Sequence, residues 1–166
     1  MRNNKEDGFD IDLPQFSPFE LVLAEARYIM IYNEIEPVLT REINTKIIAM
    51  SIKNSRKPIY IEINSPGGEV SCGIAIINTI RTSPAPIITC INGEACSMAG
   101  LISVVGDYRI MCPNSYWMGH TMSDIAGGNP QTIKDRGNYL DKLENDLTTV
   151  FKEKTKLTSE EFQKML

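Results

Sequence analysis

Nucleophilic chemistry in this chain could be shared by two residues, a serine inside a glycine-bearing bend and the only histidine. Ser97 lies in the stretch Asn92-Gly93-Glu94-Ala95-Cys96-Ser97-Met98-Ala99-Gly100-Leu101, and His120 ends Trp117-Met118-Gly119-His120. A serine hydroxyl attacks a carbonyl efficiently once a base takes its proton, and here a histidine base can only be His120. A second bend, Ile63-Asn64-Ser65-Pro66-Gly67-Gly68-Glu69-Val70, has the same grammar of strand, tight turn and apolar helix. Each bend delivers backbone N–H groups that no helix has yet claimed. The amides of Gly68 and Met98 would then face a developing oxyanion beside Ser97. Singly, these features have plain structural readings: a serine at a helix start is a cap, a histidine at a strand end is structural or exposed, and Gly-Gly is a turn. Their combination in one order carries the chemical reading.

The elements that must position these residues follow from periodicity. The sequence predicts an N-terminal arm over residues 1–26, polar at first and holding Pro14 and Pro18, and then one domain over 27–166. A first strand is expected at Arg27–Tyr32, stopped by Pro37, and a helix capped by Thr40 and running to about Asn54. The strand Ile59–Ile63 is apolar enough to be buried in a parallel sheet. A second helix over Val70, Ile74, Ile77 and Ile80 is broken at Ser83-Pro84, and a strand at Ile87–Ile91 feeds an apolar helix over Ser97–Val105. Two short strands, Tyr108–Met111 and Tyr116–His120, come next, and a long helix spans about Thr132–Lys154. Its stripe of Ile133, Leu140, Leu143, Leu147, Val150 and Phe151 exceeds what a small domain can cover, so part of it is expected to meet another copy of the chain. Thr158-Ser159-Glu160-Glu161 has the capping-box pattern of a further helix. The alternation implies an α/β domain with a mainly parallel sheet.

Composition narrows the class. The 166 residues, 42% hydrophobic and 23% charged, suit one globular domain with its own core. With no long apolar run and no signal-peptide pattern, a cytoplasmic location without membrane contact is expected. A net charge of −4 with no Lys/Arg cluster speaks against nucleic acid. Cys72, Cys90, Cys96 and Cys112 lack metal-type spacing and are expected as four buried thiols, with no metal and no cofactor.

These motifs in this order resemble the Clp protease proteolytic subunit family. The carriers are Ile63-Asn64-Ser65-Pro66-Gly67-Gly68-x-Val70, Gly93-x-Ala95-x-Ser97-Met98, and Pro113-Asn114-Ser115 followed by Met118-Gly119-His120; the glycine-rich stretch, Gln131 and the long helix match the family's handle. The resemblance implies a crotonase-like spiral of repeated βαβ units with a protruding handle helix. It implies a serine endopeptidase with Ser97 as nucleophile, His120 as general base, and the amides of Gly68 and Met98 as oxyanion hole. Gly68, Glu69 and Val70 on one side and Ile125, Ala126 and Gly127 on the other would pair with an extended peptide as added strands. Val70 and Met98 are candidate walls for an apolar side chain of the substrate. The expected partners are unfolded polypeptides, further copies in heptameric rings stacked in pairs, and an ATP-driven (AAA+) unfoldase, the chain itself being the ATP-independent peptidase core.

The chain departs from the family pattern at three places, one of them the N-terminal arm, which lacks the pattern usual for docking to an unfoldase. Thr121-Met122 stand where Gln-Pro is usual, and the third triad residue, an aspartate, is expected just beyond Leu166, since none of Asp124, Asp135 and Asp141 sits at the matching position. The C-terminal end of the domain is on this reading missing. Two alternatives follow: a non-catalytic ring subunit serving assembly or partner docking, and an acyl-CoA enzyme of the wider crotonase superfamily, whose chemistry does not call for the Ser97 and His120 pair.

Overall fold

A computed structural model describes residues 17–120, 128–158, 160 and 161. Five strands, β1 (Tyr28–Ile31), β2 (Ile59–Ser65), β3 (Ile87–Cys96), β4 (Tyr108–Met111) and β5 (Tyr116–Met118), form one sheet in the order β1-β2-β3-β4, with β5 also on β3. Every pairing is parallel. Parallel neighbours need crossovers, and these are α2 (Pro37–Lys53), α3 (Val70–Thr82) and α4 (Met98–Val104). The result is the repeated βαβ architecture that the motif order predicts, consistent with a crotonase-like spiral.

Odd-numbered positions of the central strands point to the helices and build an isoleucine-rich core: Ile29 and Ile31, Ile59, Ile61 and Ile63, Ile87 and Ile91 meet Ile43, Ile47, Ile76 and Ile77 of α2 and α3. β-branched side chains suit both requirements, since they favour the extended backbone and fill volume without adding polar atoms. Even-numbered positions face the other way. Met30 and Tyr60 are each 40% exposed, and Tyr108 and Ile110 of β4 are 68% and 51% exposed, so one face of a parallel sheet is uncovered in the single chain.

The outer elements show three differences from expectation. The arm ends in a helix, α1 (Pro18–Glu25): Ser17 accepts the Glu20 amide at 3.2 Å, and the Glu20 carboxylate accepts the Ser17 amide at 2.7 Å. β1 starts at Tyr28 because Arg27 is held in a left-handed conformation (φ 59°), its guanidinium donating to the carbonyl oxygens of Met50, Asn54, Lys57 and Pro58 at 2.7–3.0 Å. In α2 the cap is Glu36, which accepts the amides of Val38 and Leu39, with Pro37 in the first turn; the expected cap, Thr40, lies buried inside the helix. Proline here starts a helix as well as ending a strand.

The long helix is α5 (Pro130–Lys154), capped by Asn129. Only Leu147, Thr148 and Phe151 are buried, and residues 130–139 are all exposed. After it, Thr158 and Glu161 exchange reciprocal capping bonds at 2.8 and 3.2 Å. No helix among the described residues is long and apolar enough to cross a membrane.

Candidate active site

The bend after β2 is built from two glycines with positive φ, Gly67 at 99° and Gly68 at 151°. Ile35 donates its N–H to the Gly67 carbonyl at 2.7 Å and accepts the Glu69 N–H at 2.8 Å. Ile35 thus bridges Gly68 in a parallel manner, and the alternation of an extended chain turns the N–H of Gly68 away from Ile35. A Cβ at Gly68 would lie 2.3 Å from the Ile35 carbonyl oxygen. At Gly67 it would lie 2.7 Å from both the Cys96 carbonyl oxygen and Ser97 Cβ, and 3.1 Å from the Met98 nitrogen. The bend after β2 therefore touches the turn at Ser97, with no room between them for a side chain; Gly93, expected in that turn, lies instead within β3.

Ser97 sits between β3 and α4 at φ 53° and ψ −124°, a strained position for a residue with a Cβ. Its side chain makes no capping bond, so the hydroxyl is not spent on the helix end. Its N–H donates to the Met118 carbonyl at 2.8 Å, extending the ladder in which Cys96 stands opposite Met118. The expected strand Tyr116–His120 ends at Met118, and His120 follows by two residues, exposed and just past the strand alongside Ser97. Adjacent strands lie about 4.8 Å apart, so the fold brings the segments of the only serine–histidine candidate pair together. Met98 opens α4, where an N–H has no intrahelical acceptor. Its side chain packs against Gly73, and the residue is 3% exposed.

Beside Gly68 a groove of about 400 Å³ runs between the start of α3 (Glu69, Val70, Ser71) and α5 (Arg136, Tyr139, Leu140). Val70 lines it as expected. The α5 residues carry no signature in the sequence beyond the helical stripe, and their meeting with Val70 depends on the way α5 folds back. Trp117 escaped the motif reading as well: its indole N–H donates to the Gly100 carbonyl at 3.2 Å, and its ring leans on Phe151. Ile125, Ala126 and Gly127 lie outside the described residues.

The cysteines are all free, but they are not four buried thiols: Cys72 and Cys96 are buried, whereas Cys90 and Cys112 are half-buried on the uncovered sheet face, with sulfurs 3.8 Å apart. Burial first, then the neighbouring Cys112, pushes the Cys90 thiol up to about 11. Beside Ser97, burial and the Glu94 carboxylate raise the Cys96 thiol, so it stays protonated and is no rival nucleophile. Among the described residues, no group of three or more His, Cys, Asp or Glu is placed to hold a metal ion.

Residues 16–166 match the family model described as Clp protease. Two relatives, from Streptococcus pneumoniae strains 70585 and Hungary19A-6, each bear the name ATP-dependent Clp protease proteolytic subunit; each is 32% identical over 135 residues, covering 79% of this chain and 69% of the relative.

Proposed function

The chain belongs to the Clp protease family, and from that premise we propose that it is a serine endopeptidase cleaving unfolded polypeptides through an acyl intermediate on Ser97. The observation that supports this most is the contact of the two bends: Gly67 abuts Ser97 and Met98 while the strand leading to His120 is bonded to Ser97. In this reading Ser97 Oγ attacks the peptide carbonyl carbon as the His120 imidazole takes the hydroxyl proton. The oxyanion accepts hydrogen bonds from the amides of Gly68 and Met98. The C–N bond then breaks, the leaving amine taking the proton from His120. Water, deprotonated by the same imidazole, attacks the ester carbonyl, and Ser97 regains its proton as the acid leaves.

Substrate main chain would pair with Gly68, Glu69 and Val70 and, across from them, with Ile125, Ala126 and Gly127, leaving one side chain to enter the groove beside α5. A sequence-tolerant peptidase needs restricted access, and rings of further copies supply it. We assign the uncovered sheet face and the exposed first turns of α5 to contacts in such rings, heptameric and stacked in pairs. An ATP-driven unfoldase is the proposed feeding partner, as the relatives' names suggest, and the cytoplasm the proposed compartment.

A fluorophosphonate probe tests the chemistry. The wild-type chain is expected to form a covalent adduct at Ser97, the Ser97→Ala variant none, and His120→Ala an adduct slower by on the order of 10³-fold or more. Equal labelling of wild type and Ser97→Ala overturns the assignment.

A further inference from the structure

β5 is three residues long, and among the described residues it pairs with β3 alone. So short a ladder holds a strand weakly, yet this strand carries the Met118 carbonyl that receives the Ser97 amide and leads into His120. What anchors it is Trp117, the single tryptophan of the chain. The indole N–H bonds to the Gly100 carbonyl at 3.2 Å, on the helix that Ser97 opens. That carbonyl is itself fixed by the Ser103 hydroxyl at 2.6 Å. A Cβ at Gly100 would come within 3.0 Å of the indole nitrogen, so the ring lies directly on the α4 backbone. On its other side the ring meets Phe151 of α5, with centroids 5.8 Å apart and planes tilted by 46°. One side chain thus ties together the strand leading to the base, the helix that follows the nucleophile, and the buried half of the long helix.

We propose that Trp117 is a positioning residue for the Ser97 and His120 pair, acting through β5, and that the seating of Phe151 sets how well the pair is aligned. This rests on the serine-peptidase reading above. Because a misplacement of about 1 Å costs roughly 10²-fold in rate, a side chain that fixes β5 against α4 acts on turnover and leaves peptide affinity, set by the main chain around Gly68, largely alone.

The test uses the full chain in its native assembly and compares wild type, Trp117→Phe, Trp117→Ala, Phe151→Leu and Ser97→Ala. Peptide hydrolysis, fluorophosphonate labelling and thermal unfolding are followed. Trp117→Phe is expected to stay folded and lose about ten-fold in kcat with KM within about two-fold, Trp117→Ala to lose more, and Phe151→Leu to fall between wild type and Trp117→Ala. In the wild type, acylation of Ser97 is expected to shift the emission of the lone tryptophan, a readout that holds whatever the variants do to folding. Folded Trp117→Phe and Phe151→Leu variants with wild-type kcat, or losing only in KM, overturn the positioning role while leaving the peptidase reading standing. Wild type labelling no better than Ser97→Ala overturns that reading and the positioning role with it.

Discussion

A methyl group at Gly67 would sit 2.7 Å from Ser97 Cβ, and one at Gly68 would press on the Ile35 backbone at 2.3 Å. Both residues also hold φ values costly for any residue with a Cβ. Gly67→Ala is expected to lower stability by about 1–3 kcal/mol and, by moving one bend off the other, to cut fluorophosphonate labelling by on the order of 10²-fold. Thermal unfolding and labelling rates on the same preparation separate the two effects. At the other side of the sheet, burial raises the pKa of Glu62, but donation from Tyr28, Tyr32 and Asn92 outweighs it and leaves the group below its ordinary 4.5. A carboxyl lowered in the folded state binds fewer protons there than in the unfolded chain, so its contribution is complete above pH 4.5 and is lost as pH falls through the folded value. Glu62→Gln is therefore expected to flatten the stability profile below pH 4.5 and to leave its slope at neutral pH unchanged, as denaturant titrations across pH 3–7 would report.

Arg27 shows how one side chain closes an element. Its four bonds go to carbonyls at the end of α2 and in the turn before β2, where the helix dipole is negative; the Met50 carbonyl also accepts the Asn54 N–H at 3.0 Å. Arg27→Ala is expected to cost about 3 kcal/mol, read as a lower urea midpoint at unchanged slope, and Arg27→Lys to restore only part of it, since an ammonium cannot reach four acceptors in fork geometry. Nothing in the local sequence announces this role, because the acceptors lie 23 to 31 residues away. The βαβ order was legible for the opposite reason: Ile59–Ile63, Val70–Ile80 and Ile87–Ile91 each state their period within a few residues. The bend after β2 is legible because Gly67 and Gly68 stand where the backbone takes positive φ, whereas Gly93 lies within β3 and Ser97 itself makes the second turn. The cap of α2 was misread because Pro37 can end a strand or begin a helix, and Glu36 settles which. The helix at Pro18–Glu25 was legible in Ser17-x-x-Glu20 and was lost under the general polarity of the segment. Trp117 and the α5 wall of the groove are not legible, since the contact of Trp117 with Phe151, and the groove that Val70 and Leu140 line together, exist only after the chain has folded back on itself.

For the whole molecule, the uncovered sheet face is the proposed contact between copies. Tyr60 stacks on Tyr28 at 6.2 Å, and with Met30, Ile88 and Ile110 they leave an apolar surface that a parallel sheet ordinarily covers. Sedimentation of the full chain is expected to give a particle many times the single-chain mass, and Ile110→Asp, at a half-exposed position, to dissociate it without unfolding the domain. A variant that sediments like wild type would remove this face from the interface. The two last strands also share one edge of β3: between the paired positions Ile91 and Glu94 the central strand takes three steps, whereas its neighbour takes five from Met111 to Tyr116. The slack is gathered at Cys112–Ser115, where Asn114 is left-handed and Ser115 bonds back to Cys112. Because side chains on a strand switch sides at every residue, the length of that small detour fixes which side of the sheet each of Tyr116, Trp117 and Met118 faces. Removing Asn114 alone is expected to pull β5 out of register with β3 while leaving the central sheet whole, so a loop with no chemistry of its own keeps count for the strand that leads to His120.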